Sequence, residues 1–452
     1  MGMARGWCLH RVQSSSLSSG NIASGMPPGR FKILAIATGF RRRLTPPHGR
    51  CPLFFVSSLI KGHTNPTIMA ETPFILILST SGGAGHIRAA EALLQAFRNS
   101  SLPVRAEHYD CLDFTSKSFK QLYSGSYLAM VNRIPELWGY LYSEAERKPY
   151  SKKGLLKIFD HFNYQRYTKA LRSLNPDVIL CTHFLPYVSV SERVGRELSL
   201  RAPFAAVTTD FDVHKLWVDR VVSRYYVFHE ESAWQLNAKG IAPANIGVTG
   251  IPVGAEFAQI SEKPTIRKKL EIPPNRLTVL ILSGGFGVGR VHDIVESIAG
   301  PMTSFGSGSF NLIIVCGRNE TLRLDLEKRQ FPANIHVTVL GYVSNVHELM
   351  DAADILVSKS GGLTSAEAMA KQLPMVIVDP IPGQETRNAT MIVEHGAGVL
   401  AHDYHNLRYK LRRILESPEI LRRMRDGTLS LAKPRAAEAI VADVMQRYIH
   451  LR

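Results

Sequence analysis

Short apolar runs recur along the chain from Pro73 onward, and each gives way to a turn and then to helical spacing. Phe74–Leu78 predicts a buried strand and Ser79–Gly85 (STSGGAG) a tight turn. From Ile87 the residues Ala89, Ala90, Leu93, Leu94 and Phe97 fall on one face of a helix. Asp177–Cys181, Phe204–Val207, Val221–Phe228 and Ile246–Val253 predict further strands, with a helix over Glu231–Lys239. After a charged, proline-bearing stretch at Glu262–Asn275, expected to be a linker, the pattern restarts. Strands are predicted at Thr278–Leu282, Asn311–Cys316 and His336–Leu340. Strands alternating with helices in two successive blocks predict an α/β protein of two Rossmann-like domains.

The most informative stretch follows Asp354. Asp354–Val357 reads as a buried strand, Ser358–Gly362 as a loop, Leu363–Gln372 as a helix and Pro374–Val378 as a second strand. Pro380, Pro382 and Gly383 then end regular structure, leaving Gln384, Glu385 and Asn388 in a polar loop. Glycine at 361 and 362 admits a ligand close to the backbone, and the first-turn amides of the helix attract phosphate. Ser360, Gly361, Gly362 and Thr364 form that candidate phosphate seat, and Glu367 lies one turn further, placed to accept hydrogen bonds from a ribose diol. A phosphate seat, a diol acceptor and an amide-rich cluster together suit a nucleotide-sugar. The glycine pair alone fits an ordinary α/β turn equally well. Gly284, Gly285, Gly287 and Gly289 repeat the same logic before another helix, presenting amides to a pyrophosphate.

These residues carry a resemblance. The run SGGLTSAEAMAKQLP followed by PIPGQETRNA closely resembles the donor-binding segment of lipid glycosyltransferases. These are the bacterial diacylglycerol glucosyltransferases and the monogalactosyldiacylglycerol synthases, distant relatives of the peptidoglycan enzyme MurG. GGAGH, ending in His86, is similar to their glycine-rich, histidine-ended motif, and TTDFDVHKLWV, containing Asp210, resembles the glucosyltransferases. The likeness covers roughly Pro73 to Tyr448 and is most specific between Gly341 and Asn388.

The resemblance implies a GT-B architecture, two Rossmann-like domains facing across a cleft. Residues 73–260 would form the acceptor and membrane-facing domain, 261–435 the UDP-sugar domain, and 436–452 a helix returning to the first. It implies inverting transfer of a hexose from UDP-glucose or UDP-galactose to diacylglycerol, with no cofactor. Helix dipole and loop amides are expected to stabilise the diphosphate without a metal. His86 is the expected base, since a neutral imidazole accepts a proton near pH 7, with Asp210 as the rival base or an acceptor-orienting group. Gly85, Asn319, Gly383, Gln384, Glu385 and Asn388 join the donor site, with Arg318 either a phosphate partner or a plain surface arginine and Tyr342 and Val343 where the uracil would meet backbone. Gln384 and Glu385 are carried over to the sugar hydroxyls. Two alternatives stay open: a UDP-GlcNAc transferase of MurG type or a UDP-GlcNAc epimerase, and a membrane- or nucleotide-binding protein without turnover.

Composition adds the setting. The chain has 452 residues, enough for two domains, and a formal net charge of +16. Residues 1–70 hold no Asp or Glu against seven Arg and two Lys, so they supply +9 of that total. Residues 1–72 read as a disordered basic arm, a transit peptide, or sequence upstream of a start at Met69. The surplus charge suits an anionic membrane surface. It is not matched by any helix-turn-helix, zinc-finger or RNA-binding signature, so no nucleic-acid partner is expected. Between Leu112 and Tyr150, Phe119, Tyr123, Tyr127, Trp138 and Tyr140 are interleaved with basic residues. That pattern fits an interfacial anchor, or a core helix pair with a basic outer face. No stretch reaches the roughly 18 to 20 apolar residues of a membrane span, so a peripheral protein on the cytoplasmic face is expected, with organelle targeting if the first 72 residues are translated. Five scattered cysteines indicate neither a disulfide framework nor a zinc site.

Overall fold

The computed structural model describes residues 72–123, 125, 134–147, 161–190, 192–199, 201–282, 290–300 and 308–449. The loop bearing Gly284, Gly285, Gly287 and Gly289, and Tyr127, lie outside them. Among the described residues, twelve strands form two six-stranded sheets, every pairing parallel. The first contains β1 (Phe74–Ser79), β2 (Arg105–Asp110), β3 (Val178–Cys181), β4 (Phe204–Val207), β5 (Val222–Val227) and β6 (Ile246–Val248), in the order β2-β1-β3-β4-β5-β6. The second contains β7 (Leu277–Leu282), β8 (Phe310–Val315), β9 (Ile335–Leu340), β10 (Ile355–Ser358), β11 (Met375–Ile377) and β12 (Gly398–Leu400), in the order β12-β11-β10-β7-β8-β9. Parallel strands need helical crossovers that cover both faces, which is why β1, β3, β4, β8 and β10 are fully buried.

Strand order reverses between β1 and β3 in the first sheet and between β7 and β10 in the second. Crossovers leave those neighbouring strand ends in opposite directions, opening a crevice where doubly wound sheets bind ligands. The motifs named above sit at these points. Helix α1 (Ala84–Asn99) follows β1 and carries Gly85 and His86 in its first turn. Helix α2 (Pro135–Arg147) lies in the aromatic-basic segment, and α3 (Gly362–Ala370) follows β10.

Three expectations need correction. Gln384, Glu385 and Asn388 are not in a loop: they open helix α4 (Gln384–Glu394). Gly383 turns the chain at φ +88°, a left-handed conformation glycine adopts cheaply, and the helix starts at the next residue. The expected linker is a packed element, a helix over Lys263–Lys269 in which Ile266 is buried. Arg267 there donates to Asp354 at 2.6 Å, tying the segment to the start of β10. The strand expected over Ile246–Val253 stops at Val248.

The two halves share apolar surface. Ala89, Phe211, Phe228 and Val253 from the first pack in one cluster with Leu363, Ala366 and Met369 from α3, and Phe211 stacks on Phe228 at 3.6 Å. Helix α5 (Ala436–Val444) returns to the first sheet, burying Ala437, Ile440, Val441 and Val444 against Ile75, Ile77 and α1. Asp443 fastens it there, accepting from Arg224 at two atoms and from Tyr226 Oη at 2.7 Å.

Candidate active site at the cleft

His86 stands in the first turn of α1, at the reversal point of the first sheet. Its Nδ1 lies 3.0 Å from the Thr182 carbonyl oxygen and 2.8 Å from Thr209 Oγ1. A carbonyl only accepts, so Nδ1 carries the proton and Nε2 presents its lone pair. Thr182 also clamps the backbone, its hydroxyl donating to the His86 carbonyl at 2.8 Å. Burial lowers the His86 pKa to about 4, opposed by the Thr182 contact. The imidazole is therefore neutral at pH 7, in the tautomer a base requires.

Asp210, in the loop that follows β4, is buried and meets side chains from across the cleft. Gln384 Nε2 donates to both of its carboxylate oxygens, at 2.9 and 2.8 Å, and Asn388 Nδ2 donates to Oδ1 at 3.3 Å. Desolvation outweighs these bonds and raises its pKa to about 6. Asn388 also accepts from the Phe211 amide at 2.9 Å and donates to the Ser360 carbonyl at 3.0 Å. It thus joins β4 of one half to the β10 loop of the other. A second cross-cleft pair, Arg387 with Asp212 at 2.5 Å, lies beside it.

On the donor side, Glu367 is buried in α3, and desolvation raises its pKa to about 7 although Arg88 opposes the shift. Arg88 Nη2 donates to Glu367 Oε1 at 2.6 Å, from two residues beyond His86 on the opposite domain. Glu385 is raised to about 7 in the same way, while its Oε2 accepts from the Ile381 amide at 2.8 Å. Ser360 Oγ donates to the Glu385 carbonyl at 2.7 Å. Gly85 sits against Leu363, and Thr364 is half-buried in the first turn of α3. Gly362 has a role that the sequence did not suggest. A Cβ there would come within 1.9 Å of the Thr209 carbonyl oxygen, so this glycine admits the opposite domain's backbone.

The remaining expected donor residues lie further out. Asn319 caps the helix Glu320–Lys328, accepting from the Leu322 amide at 3.1 Å. Exposed Arg318 lies over the Tyr342 ring at 5.6 Å, Tyr342 is itself exposed, and Val343 packs on the shared core. In the aromatic segment, Phe119 and Tyr123 stack at 6.1 Å and pack on the first domain's core, so they face inward. Leu122, Ile134, Leu137 and Tyr140 are the exposed large apolar residues there among the described residues. Trp138 belongs to α2 by backbone, its side chain lying outside the described residues. Among the described residues no three His, Cys, Asp or Glu side chains are grouped to hold a metal ion, and no helix is long and apolar enough to cross a membrane.

The geometry thus joins a neutral histidine on one half to acidic and amide groups on the other. The model of the monogalactosyldiacylglycerol (MGDG) synthase family matches residues 86–253, and that of the glycosyltransferase family 28 C-terminal domain matches residues 278–441. A processive diacylglycerol β-glucosyltransferase of Bacillus mycoides is 30% identical over 385 residues, covering 83% of this chain and 94% of the relative. The chain belongs to the diacylglycerol glycosyltransferase family. The like-named protein of Bacillus thuringiensis is also 30% identical, over 386 residues, covering 84% of this chain and 95% of its own. Among solved structures, Acinetobacter baumannii MurG superposes with TM-score 0.53 at 13% identity, over 83% of this chain and 99% of that one. Staphylococcus aureus MnaA, solved with UDP, gives 0.55 at 13% identity over 84% and 98%. The architecture of this diacylglycerol glycosyltransferase is GT-B.

Arg88, Thr182, Thr209 and His183 contact Glu367 or His86, and the sequence assigned them no role. His183 lies just past the end of β3 beside Thr182, a position that could have drawn attention. The threonines and Arg88 matter only through contacts that the fold creates.

Proposed function

We propose that this glycosyltransferase moves glucose from UDP-glucose to the free hydroxyl of diacylglycerol, with inversion at the anomeric carbon, while docked on an anionic membrane surface. A UDP-sugar hexosyltransferase acting on diacylglycerol is what its family membership supports. Glucose in preference to galactose rests on the β-glucosyl activity in the relatives' names. His86 carries the mechanism. With Nδ1–H spent on Thr182, its Nε2 lone pair takes the hydroxyl proton as the lipid oxygen attacks the anomeric carbon and the electron pair of the breaking bond leaves on UDP. Amides at the start of α3 face the departing diphosphate, Glu367 takes the ribose diol, and Gln384 and Glu385 hold the sugar hydroxyls. Asp210 fixes Gln384 through both carboxylate oxygens, a role in orientation and not in proton transfer. The exposed Ile134, Leu137 and Tyr140 recur at helical spacing and supply an apolar wedge for the bilayer surface.

The test is His86→Ala, assayed with UDP-glucose and diacylglycerol vesicles. Transfer falls by a factor of roughly 100 or more while UDP binding by calorimetry changes little. Retained transfer would remove His86 from the chemistry.

A further inference from the structure

Two histidines stand at the reversal point of the first sheet, His86 after β1 and His183 after β3. The His183 ring meets His86 edge-on, with centroids 4.6 Å apart and planes at 87°. Phe184 stacks on the His183 ring at 4.2 Å, and His183 is 7% exposed. Backbone contacts fix the two rings in opposite tautomers. The His183 Nδ1 accepts from the Leu185 amide at 3.0 Å, so its proton resides on Nε2. The His86 proton resides on Nδ1, facing Thr182. Desolvation keeps His183 uncharged, and the neighbouring His86 acts in the same direction. Among the described residues nothing accepts a hydrogen bond from His183 Nε2–H.

One ring therefore offers a lone pair and its neighbour a proton, which matches the hydrogen-bonding needs of a hydroxyl group. We propose that His183 Nε2–H donates to the oxygen of the lipid acceptor's hydroxyl while His86 Nε2 receives that hydroxyl's proton, which makes His183 a second catalytic residue. This rests on the glycosyl-transfer reading above. The oxygen keeps one lone pair for the anomeric carbon and accepts from His183 through the other. In the step, the O–H bond breaks with its proton passing to His86, the oxygen–carbon bond forms, and the carbon–phosphate-oxygen bond breaks with its electron pair leaving on UDP. His183 keeps its proton throughout. Fixing the hydroxyl at two points removes rotational freedom before the reaction begins.

The competing account is that His183 only caps the short helix that follows, through its Nδ1 contact with Leu185. Two substitutions separate these roles. Asparagine places an acceptor where Nδ1 is and nothing at Nε2, whereas glutamine reaches the Nε2 position with an amide N–H. In the full chain, with UDP-glucose and diacylglycerol vesicles, His183→Asn lowers kcat roughly tenfold or more with KM for UDP-glucose unchanged, and His183→Gln stays within a few-fold of the parent. Near-parental kcat for His183→Asn, or equal loss in both variants, overturns the proposal. Nitrogen-15 NMR of histidine in the unsubstituted protein gives a reading that does not depend on variant folding: Nδ1–H on His86 and Nε2–H on His183 are expected, and the reverse tautomer on His183 overturns it. An unsubstituted protein that binds UDP but glycosylates no diacylglycerol contradicts the functional reading instead, and the tautomer measurement still decides the pairing.

Discussion

Arg88 Nη2 donates to Glu367 Oε1 at 2.6 Å, joining the helix that carries His86 to the helix that opens with Gly362. The arginine is 42% exposed and the carboxylate 2%. The guanidinium is thus hydrated, and the bond's value lies in what it does for its buried partner. Burial pushes Glu367 towards the protonated form, and Arg88 pulls it back towards the carboxylate that a diol needs.

Arg88→Gln removes that pull. Glu367 then stays protonated to higher pH and accepts hydrogen bonds from the ribose more weakly. UDP affinity at pH 7 should fall about tenfold, close to 1.4 kcal/mol, and recover partly at higher pH as the carboxyl ionises. Calorimetry across pH reads both effects. Unchanged affinity would show that Arg88 does not serve the donor.

Three buried carboxyls have folded-state pKa values raised by desolvation: Asp210 to about 6, and Glu367 and Glu385 to about 7. A raised carboxyl binds its proton more tightly in the folded protein than in the unfolded chain. Its contribution to stability is full below the unfolded value and is lost as pH rises through the folded one. Stability should therefore rise as pH falls from 8 to 6.5, by roughly 1 kcal/mol for each of the two glutamates. Below that, His86 and His183, with depressed values, oppose the gain. Glu367→Gln should flatten the rise between pH 8 and 6.5 in thermal melts. An unaltered profile would show that Glu367 is not titrating there.

The exposed face of α2 makes a separate prediction. Leu137→Ser with Tyr140→Ser should weaken binding to anionic vesicles roughly tenfold and leave the melting temperature unchanged, since both side chains are exposed. Phe119→Ser should instead lower the melting temperature, because that ring packs on the core. Unchanged vesicle binding in the double variant would remove α2 from the membrane contact.

Much of the fold was legible because strands buried on both faces read as continuous apolar runs. Phe74–Ser79 and Phe204–Val207 are clear for that reason. β2, with the sequence RAEHYD, was not legible: it is an edge strand only partly buried, so its residues carry neither a run nor a clean alternation. β12 is three residues long, too short for any period to show. Helix α4 was hidden by Pro380, Pro382 and Gly383 in front of it and by its polar first turn, whose Asn388 is buried on hydrogen bonds and not on apolar contact.

The candidate site divides similarly. His86, Asp210, Glu367 and Gln384 were visible as polar residues at strand ends and helix starts. Their partners were not. That Arg88 meets Glu367, that Gln384 meets Asp210, and that Gly362 makes room for Thr209 depends on how two domains close on each other, which no local pattern encodes. The tautomer of His86 likewise depends on Thr182, just past β3 and 96 positions away.

The most direct test of the central claim incubates the full chain with diacylglycerol vesicles and, separately, UDP-glucose and UDP-galactose. The lipid product is read by mass and by the anomeric proton coupling. A monohexosyl diacylglycerol from UDP-glucose, with the large coupling of a β-glucoside, is the predicted result. An α-linked product would contradict inversion by His86, and UDP bound without any glycolipid from either donor would contradict diacylglycerol as the acceptor.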